Sequence, residues 1–343
     1  MEYILRLKNM ITEEQRRELC EFAEIIYESK FLPTLGVETI SLEKIYSCNF
    51  VESIRLSRDG IYQDGDYLTV VAFQPAIPKR VLVNNQMTGW GSKIFILDSG
   101  VDERQISIQE QKDYTKKGRH DVIGHGTTIA KIIKHIAKGS QIYAARIGSP
   151  DPNEINLMRG IEWAIDKGAN VINISSEFAK TPNCKGNCEL CELVNFASSK
   201  GIAVVVAAGN SGQVDNSIVC PGIATDSITV GAVHMMKSGL AVYSSIGKPG
   251  GNKPNLIAPG QGNIDGNPFS GTSFSAPVVS GVIGALYSRT GDIRKTVEYI
   301  YSTCEDLKLP GHHQGLGCIN LEKLVEVVND EVPDFKGAGQ VGI

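Results

Sequence analysis

The sequence predicts an α/β fold in which helices flank a central parallel sheet, with a small α+β unit in front of it. From Lys93 onward, short apolar runs alternate with stretches of helical spacing, as in repeated βαβ units. The runs are apolar throughout, as in Ile94–Leu97, which is typical of parallel strands buried on both faces. Before Lys93 this alternation is missing, which indicates a separate unit.

The segments of the α/β part can be placed one by one. Strands are predicted at 94–97, 141–147, 171–174, 202–208 and 227–233, and helices from His125, at 155–166, at 193–199 and from Ser273. The last helix follows the tight run Gly271–Pro277. Pro277 is expected in its first turn, where a missing N–H removes no hydrogen bond.

The N-terminal part begins like a strand at residues 2–8. Thr12 to Gln15 then have the spacing of a capping box, and apolar residues at helical intervals predict a helix that reaches Tyr27. Pro33 and Gly36 are expected to end that helix.

Strand-like runs follow at 38–48, 53–57 and 67–73, and Pro75 and Pro78 indicate a linker. The expected organisation is a unit at 1–78, a main domain at 79–330 and a loose tail at 331–343.

Charge and composition exclude some classes of function. The net charge of -4 over 343 residues, with no basic block, argues against nucleic acid as a partner. Charges interrupt every apolar run near the N-terminus, and no run is long enough to cross a bilayer. A cytoplasmic protein without a membrane partner is therefore expected, and its eight cysteines are expected to be thiols.

Four polar residues stand at predicted strand ends and helix starts: Asp98, His125, Asn210 and Ser273. In open parallel sheets, chemistry gathers at the carboxyl ends of the strands. Ser273 as nucleophile, His125 as general base and Asp98 as its partner would suit acyl transfer. Asn210 and the Ser273 N–H would hold the oxyanion. Each residue alone also has a purely structural explanation. Asp98 could cap a strand end and His125 could be a core histidine. Asn210 could form a turn and Ser273 could cap a helix.

Together these motifs resemble the subtilisin-like serine peptidases, the subtilases. The matching stretches are Ile96–Asp102, Gly124–Thr127, Ala207–Asn210 and Gly271–Pro277, in the family's order Asp, His, Ser. The resemblance covers about 85–328. It implies a three-layer subtilisin-like fold and a serine endopeptidase that needs no cofactor for its chemistry.

The resemblance also assigns substrate-binding residues: Ser175, Ser176, Glu177, Ala207 and Gly209. It implies a cis Cys220–Pro221 bond, and it suggests that the calcium loop common in relatives is missing after the His125 helix. Glu177 stands where the family has glycine, at a wall of the S1 pocket. Glu177 either turns into solvent, which is slightly favoured, or gives a preference for a basic or polar P1 residue.

A cysteine-rich stretch follows the substrate strand. Cys184, Cys188 and Cys191 have C-x₃-C-x₂-C spacing and could present three thiolates to zinc, with Cys220 as a conceivable fourth ligand. Without an evident fourth ligand, free thiols or one disulfide remain the alternative.

The family commonly carries an N-terminal prodomain that inhibits the enzyme, and 1–78 resembles a divergent one, although its usual second helix is hard to find. Self-cleavage between about Tyr62 and Arg80 is one expectation, and a permanent accessory domain is the other. The overall prediction is an intracellular processing or degradative protease that acts on peptides or proteins. The alternative is a pseudopeptidase that binds a partner without cutting it.

Overall fold

The structure is a computed structural model, and it describes residues 1–62, 82, 86–118, 120–148, 150–181, 184–234 and 239–331. The predicted strand at 67–73, the linker prolines and nearly all of the tail at 331–343 lie outside these residues. No helix in the described ranges combines the length and apolar character needed to span a bilayer.

The strands in chain order are β1 Glu2–Leu7, β2 Glu24–Glu28, β3 Thr34–Glu38, β4 Val51–Leu56, β5 Ile61–Tyr62, β6 Lys93–Asp98, β7 Glu110–Asp113, β8 Gln141–Arg146, β9 Val171–Ile174, β10 Ser176–Glu177, β11 Ala203–Ala207, β12 Ile228–Val233, β13 Leu256–Pro259, β14 Gln261–Ile264 and β15 Asn267–Ser270. The helices are α1 Glu13–Cys20, α2 Leu42–Tyr46, α3 His125–Ile136, α4 Glu154–Asp166, α5 Glu189–Ser199, α6 Thr272–Thr290, α7 Ile293–Thr303, α8 Gly311–Gln314 and α9 Leu321–Glu331.

Seven parallel strands form the central sheet, in the order β13-β12-β11-β9-β6-β8-β7. The predicted α/β class is therefore confirmed. The apolar strand runs are buried because helices cover both faces: α3 and α6 lie on one face, and α4 and α5 lie on the other. Strands β6, β9 and β11 are neighbours, so their carboxyl ends meet at one edge of the sheet.

Helix α6 is the element on which this half of the molecule is packed. All its residues from Thr272 to Leu286 are buried, and it contacts the sheet as well as α3. Pro277 does not lie in the first turn as predicted, because the helix begins at Thr272 and places the proline in its second turn. The carbonyl of Ser273, four residues earlier, therefore has no helical N–H partner.

The N-terminal unit is a four-stranded antiparallel sheet, in the order β2-β3-β1-β4, with α1 and α2 beside it. Its own core is formed by buried apolar residues from strands and helices, including Leu5, Leu19, Val37 and Ile45. The predicted capping box is present, since Thr12 accepts a hydrogen bond from the Gln15 N–H and its own N–H donates to the Gln15 side chain.

Three predictions for this unit are wrong. The first helix ends at Cys20, and Ile26 and Tyr27 belong to β2, because Glu24–Glu28 pairs with β3. Gly36 does not break a helix but lies within β3. The segment 38–48 is not a strand, since it contains α2, which is the second helix that the sequence left unidentified. Short segments of mixed propensity take the structure that tertiary pairing allows.

Charged hydrogen bonds join the N-terminal unit to the peptidase part. Glu154, fully buried as the first residue of α4, accepts hydrogen bonds from Arg55 at 2.8 and 2.9 Å and from Nε of Arg58 at 2.9 Å. Glu189, the first residue of α5, accepts from Arg55 at 2.6 Å and from Arg6 at 3.2 Å. Both carboxylates also face the positive end of a helix dipole.

Candidate active site

Asp98 and His125 lie in contact at the carboxyl edge of the sheet. Asp98 ends β6 and His125 begins α3, and the His125 Nδ1 is 2.6 Å from the Asp98 Oδ1. Both side chains are almost completely shielded from solvent. Burial raises the pKa of Asp98, whereas the His125 ring and the Ser99 N–H, which favour the carboxylate, oppose that rise.

Glycine at position 126 permits this approach of helix to strand. A Cβ on Gly126 would lie 2.1 Å from the carbonyl oxygen of Gly100. Any larger residue would therefore push the start of α3, and His125 with it, away from Asp98.

Asp121 also positions this helix, and sequence reasoning missed it. Its carboxylate accepts hydrogen bonds from the N–H groups of Gly124 and Thr127, each at 2.9 Å, and from the Ser99 hydroxyl at 2.9 Å. Asp121 thus ties the first turn of α3 to the residue after Asp98. The signal that could have found it is an acidic residue just before a helix start, which is a usual capping position.

Ser273 lies in the first turn of α6 and is hydrogen-bonded to the substrate strand. Its hydroxyl donates to the Ser175 carbonyl at 3.1 Å, and the Ser175 hydroxyl donates to the Ser273 carbonyl at 2.9 Å. That second bond satisfies the carbonyl that Pro277 leaves without a helical partner. Because a hydroxyl carries one proton, attack by Ser273 requires this proton to leave the Ser175 carbonyl for a base.

A buried polar chain supports the Ser175–Ser273 pair. The Asn173 amide donates to the Ser175 hydroxyl at 3.0 Å, and its carbonyl oxygen accepts from Ser280 of α6 at 2.9 Å. Asn173 is fully buried, so these bonds fix its orientation. A lone asparagine within an apolar strand was the available signal.

Asn210, which follows β11, is bound to the residue before Ser273. Its Oδ1 accepts from the backbone N–H and from the hydroxyl of Thr272, both at 3.0 Å. A backbone N–H can only donate, so Oδ1 must face Thr272 and Nδ2 points the other way. The two residues predicted to hold an oxyanion are therefore held next to each other.

The predicted substrate strand lies beside these residues and is paired with the chain's own N-terminal part. Ser175 and Ser176 are fully buried, and β10 pairs antiparallel with β5, with Ser176 opposite Tyr62 and Glu177 opposite Ile61. The N–H of Gly60 donates to the Pro152 carbonyl at 2.7 Å, which holds the segment before β5 in place.

Glu177 does not turn into solvent, so the slightly favoured sequence interpretation is wrong. Its exposure is only 9%, and a Cβ on Gly209 would lie 2.2 Å from its Oε2. Gly209 has φ +110°, so glycine is needed there for its backbone as well as for space. The carboxylate of Glu177 thus packs on the strand-end segment that includes Ala207 and Gly209.

The predicted cysteine cluster is present, and it includes the fourth residue. The sulfur atoms of Cys184, Cys188, Cys191 and Cys220 all lie within 4.8 Å of one another. Sequence spacing could not establish Cys220 as a member, because it joins through tertiary contact: the Phe178 N–H donates to its carbonyl at 2.8 Å. The expected cis bond between Cys220 and Pro221 is confirmed.

Comparison with known proteins agrees with this fold and this set of motifs. A sequence model of the subtilase family, peptidase S8, matches residues 89–307. M-protease of Shouchella clausii is 27% identical over 297 residues, which cover 80% of this chain and 73% of the relative. Thermitase of Thermoactinomyces vulgaris is 28% identical over 270 residues, which cover 69% of this chain and 90% of the relative.

A solved structure shows the same fold over nearly the whole chain. The epidermin leader peptide processing serine protease of Staphylococcus aureus, crystallised as an S393A mutant, superposes with a TM-score of 0.78 at 18% identity. The match covers 96% of this chain and 99% of the other. The family match and the central parallel sheet lead to the same conclusion: the chain belongs to the subtilase family and is a serine-type endopeptidase with a subtilisin-like fold.

Proposed function

We propose that Asp98, His125 and Ser273 are the catalytic triad of this peptidase. His125 takes the Ser273 hydroxyl proton as Oγ attacks the peptide carbonyl, and the imidazolium then gives that proton to the leaving amine. The resulting acyl-enzyme is hydrolysed by water in the same way, with His125 again as base and then acid. Asp98 keeps the proton of the imidazole on Nδ1 and stabilises the imidazolium.

Asn210 and the start of α6 would hold the oxyanion of each tetrahedral intermediate. The Asn210 Oδ1 accepts from Thr272, and Nδ2, which is the donor of this side chain, would donate to the oxyanion. The Ser273 N–H lies in the first helical turn, where N–H groups have no partner within the helix. Both donors would be in position before the substrate binds. Preorganised donors of this kind usually make the largest single contribution to the rate enhancement.

The observation that carries this proposal is the 2.6 Å contact between two buried side chains, His125 and Asp98, 27 residues apart in sequence. A buried carboxylate needs a compensating partner, and an oriented imidazole is the partner that acyl transfer requires.

Fluorophosphonate labelling tests the proposal against the pseudopeptidase alternative. Chain freed of its N-terminal unit should be labelled on Ser273, and Ser273→Ala and His125→Ala should not be labelled at comparable rates. Ser288→Ala is the matched control, because Ser288 lies near the other end of α6, where its hydroxyl donates to the Ala285 carbonyl. A wild-type chain that remains unlabelled and cleaves no peptide would favour the pseudopeptidase.

The N-terminal unit is proposed to be a prodomain that blocks the substrate groove. The supporting contact is the pairing of β5 with β10, because an extended peptide added to a strand edge is how peptides are commonly bound. Cleavage between about Tyr62 and Arg80, followed by release of the unit, would free the groove. The intact mass of wild-type chain should therefore be smaller than that of Ser273→Ala by the N-terminal fragment, and equal masses would favour the permanent accessory domain.

Glu177 is proposed to give a preference for a basic P1 residue. Its buried carboxylate packs against Gly209, so a cationic substrate side chain entering there would find a desolvated partner. Peptides with P1 Arg should be favoured over P1 Leu by about tenfold or more in kcat/KM. Glu177→Gln should abolish that preference while it preserves the shape of the side chain; an unchanged ranking would remove Glu177 as its cause.

The reaction is proposed to serve precursor processing or protein turnover. A protease that processes a leader peptide shares the fold, and the altered pocket at Glu177 is compatible with a narrow substrate range. A peptide-library cleavage profile distinguishes the two: a few accepted sequences indicate processing, and broad cleavage indicates degradation. The cytoplasmic location remains a prediction from the sequence.

A further inference from the structure

The four clustered cysteines have the geometry of a site for one metal ion. Neighbouring sulfur atoms are 3.5 Å apart for Cys184 and Cys220, 3.5 Å for Cys188 and Cys191, and 3.7 Å for Cys188 and Cys220. A tetrahedron with Zn–S bonds of about 2.3 Å has S···S edges of about 3.8 Å. These three distances are therefore close to the edges of a tetrathiolate zinc site, and all six are within 4.8 Å.

Two cationic side chains lie beside the cysteine cluster. The Arg58 guanidinium donates to the Cys188 sulfur at 3.6 Å, and the Lys180 ammonium lies close enough to interact with Cys220 and Cys184. Four thiolates around a divalent ion carry two net negative charges, and these two cations offset them.

The other four cysteines provide a contrast within the same chain. Cys20 is exposed, Cys48 is buried in the N-terminal unit, and Cys304 and Cys318 lie near the C-terminal helices. In the part of the chain that the structure describes, the cluster of Cys184, Cys188, Cys191 and Cys220 is the one group of His, Cys, Asp and Glu side chains that meets the spacing for a metal. All eight cysteines are present as thiols rather than disulfides.

We propose that Cys184, Cys188, Cys191 and Cys220 bind one structural zinc ion. Zinc suits the site because it prefers tetrahedral thiolate ligands, and a site with four protein ligands leaves no open position for chemistry. The ion would displace the thiol protons on binding, so its affinity should rise with pH.

The positions of the four cysteines indicate which elements a bound zinc ion would stabilise. Cys184 follows the substrate strand, Cys188 and Cys191 lie at the start of α5, and Cys220 bonds through its carbonyl to Phe178, the residue after β10. One ion would therefore connect the segment after the substrate strand to the start of α5 and to the turn at Cys220. Loss of zinc should loosen the S1 wall around Glu177 and raise KM more than it lowers kcat.

Metal analysis of full-length Ser273→Ala chain, purified under reducing conditions without added metal, tests the site directly. About one zinc per chain is expected. Cys184→Ser and Cys191→Ser should each retain less than about a tenth of it. Cys48→Ser, which removes a buried thiol elsewhere, should retain it all.

A second measurement does not depend on whether the variants fold. The wild-type cluster loaded with cobalt(II) should show the visible absorption of a tetrahedral thiolate complex, and the four thiols should resist Ellman's reagent until the metal is removed. A chain that binds neither zinc nor cobalt, and whose four cluster thiols react with Ellman's reagent without prior removal of metal, would overturn the proposal. So would a disulfide within the cluster, found by mass spectrometry, or iron in place of zinc.

Discussion

The central parallel sheet and the surface that carries the N-terminal unit differ in how much ion pairs contribute to their stability. Strands such as β6 and β9 are buried on both faces among apolar residues from four helices, and this burial stabilises them in any ordinary buffer. The N-terminal unit is attached through apolar contact and, in addition, through three arginines, Arg6, Arg55 and Arg58, which donate to carboxylates on α4 and α5. Ion pairs weaken with salt and acid, so the attachment responds to solution conditions that leave the sheet intact.

Apolar contact is also present at that surface, because Ile4 and Tyr27 belong to the same buried core as the apolar residues of α4 and α5. Ile155 of α4 contacts Gly36 of β3, and the rings of Phe31 and Phe196 stack with centroids 4.9 Å apart. Glu162, in the middle of α4, accepts hydrogen bonds from Tyr27 at 2.9 Å and from Ser29 at 2.6 Å. The surface beneath the N-terminal unit therefore combines charged, polar and apolar contacts, whereas the central sheet is buried among apolar residues.

Among the changes that separate the two regions, Asn210→Ala should have the largest effect, and that effect should be on kcat alone. The change removes the proposed oxyanion donor at the sheet edge, and kcat should fall by about 10²- to 10³-fold, a magnitude that comes from subtilisin itself. KM and attachment of the N-terminal unit should hardly change. Steady-state kinetics measure the first effect; a fall in KM equal to that in kcat would contradict an oxyanion role.

Arg58→Ala should have the converse effect. It leaves the buried Glu154 carboxylate with Arg55 alone, and losing one partner of such a buried pair should destabilise the attachment by about 3 kcal/mol. Hydrogen exchange of the β1, β3 and β4 amides in full-length Ser273→Ala chain measures it.

The matched control for that variant is Arg16→Ala, which breaks a half-exposed pair with Glu28 inside the N-terminal unit. It should cost at most about 1 kcal/mol. If the two variants accelerated exchange equally, the arginine contacts to Glu154 would not be what holds the unit.

Acid should produce the smallest effect, and it should be specific to the attachment. Burial would raise the pKa of Glu154, but hydrogen bonds from Arg58 and Arg55 outweigh it, so the pKa lies below the ordinary 4.5. A lowered pKa contributes stability that is complete above 4.5 and is lost as pH falls through the lower folded value. Attachment should therefore weaken below about pH 4.5.

Glu154→Gln should remove this part of the acid dependence. Glu162 provides an internal comparison, because burial raises its pKa and its contribution is lost as pH rises, not as it falls. Exchange rates of the β1 amides, followed from pH 7 to pH 3.5, would show both signs. If β1 amide exchange accelerated equally in wild type and Glu154→Gln as the pH fell, Glu154 would be excluded as the source of the acid dependence.

The sequence by itself determined five of the seven parallel strands, the start of a helix at His125, the start of another within one residue of Ser273, and the family. These features are local: an apolar run, a capping box or a glycine beside a histidine acts within a few residues of its own position. The identity of the four residues proposed for catalysis followed from motifs of that kind.

Only the tertiary structure decided the features that depend on partners distant in sequence. Cys220 joins three cysteines about 30 residues earlier, and Glu177 is buried against Gly209. The Ser273 carbonyl, which has no helical N–H partner because residue 277 is proline, accepts a hydrogen bond from Ser175. The segment ending at Tyr27 became a strand because β3 was there to pair with it. Hydrogen bonds and burial of this kind are set by which surfaces meet, and no short stretch of sequence specifies that.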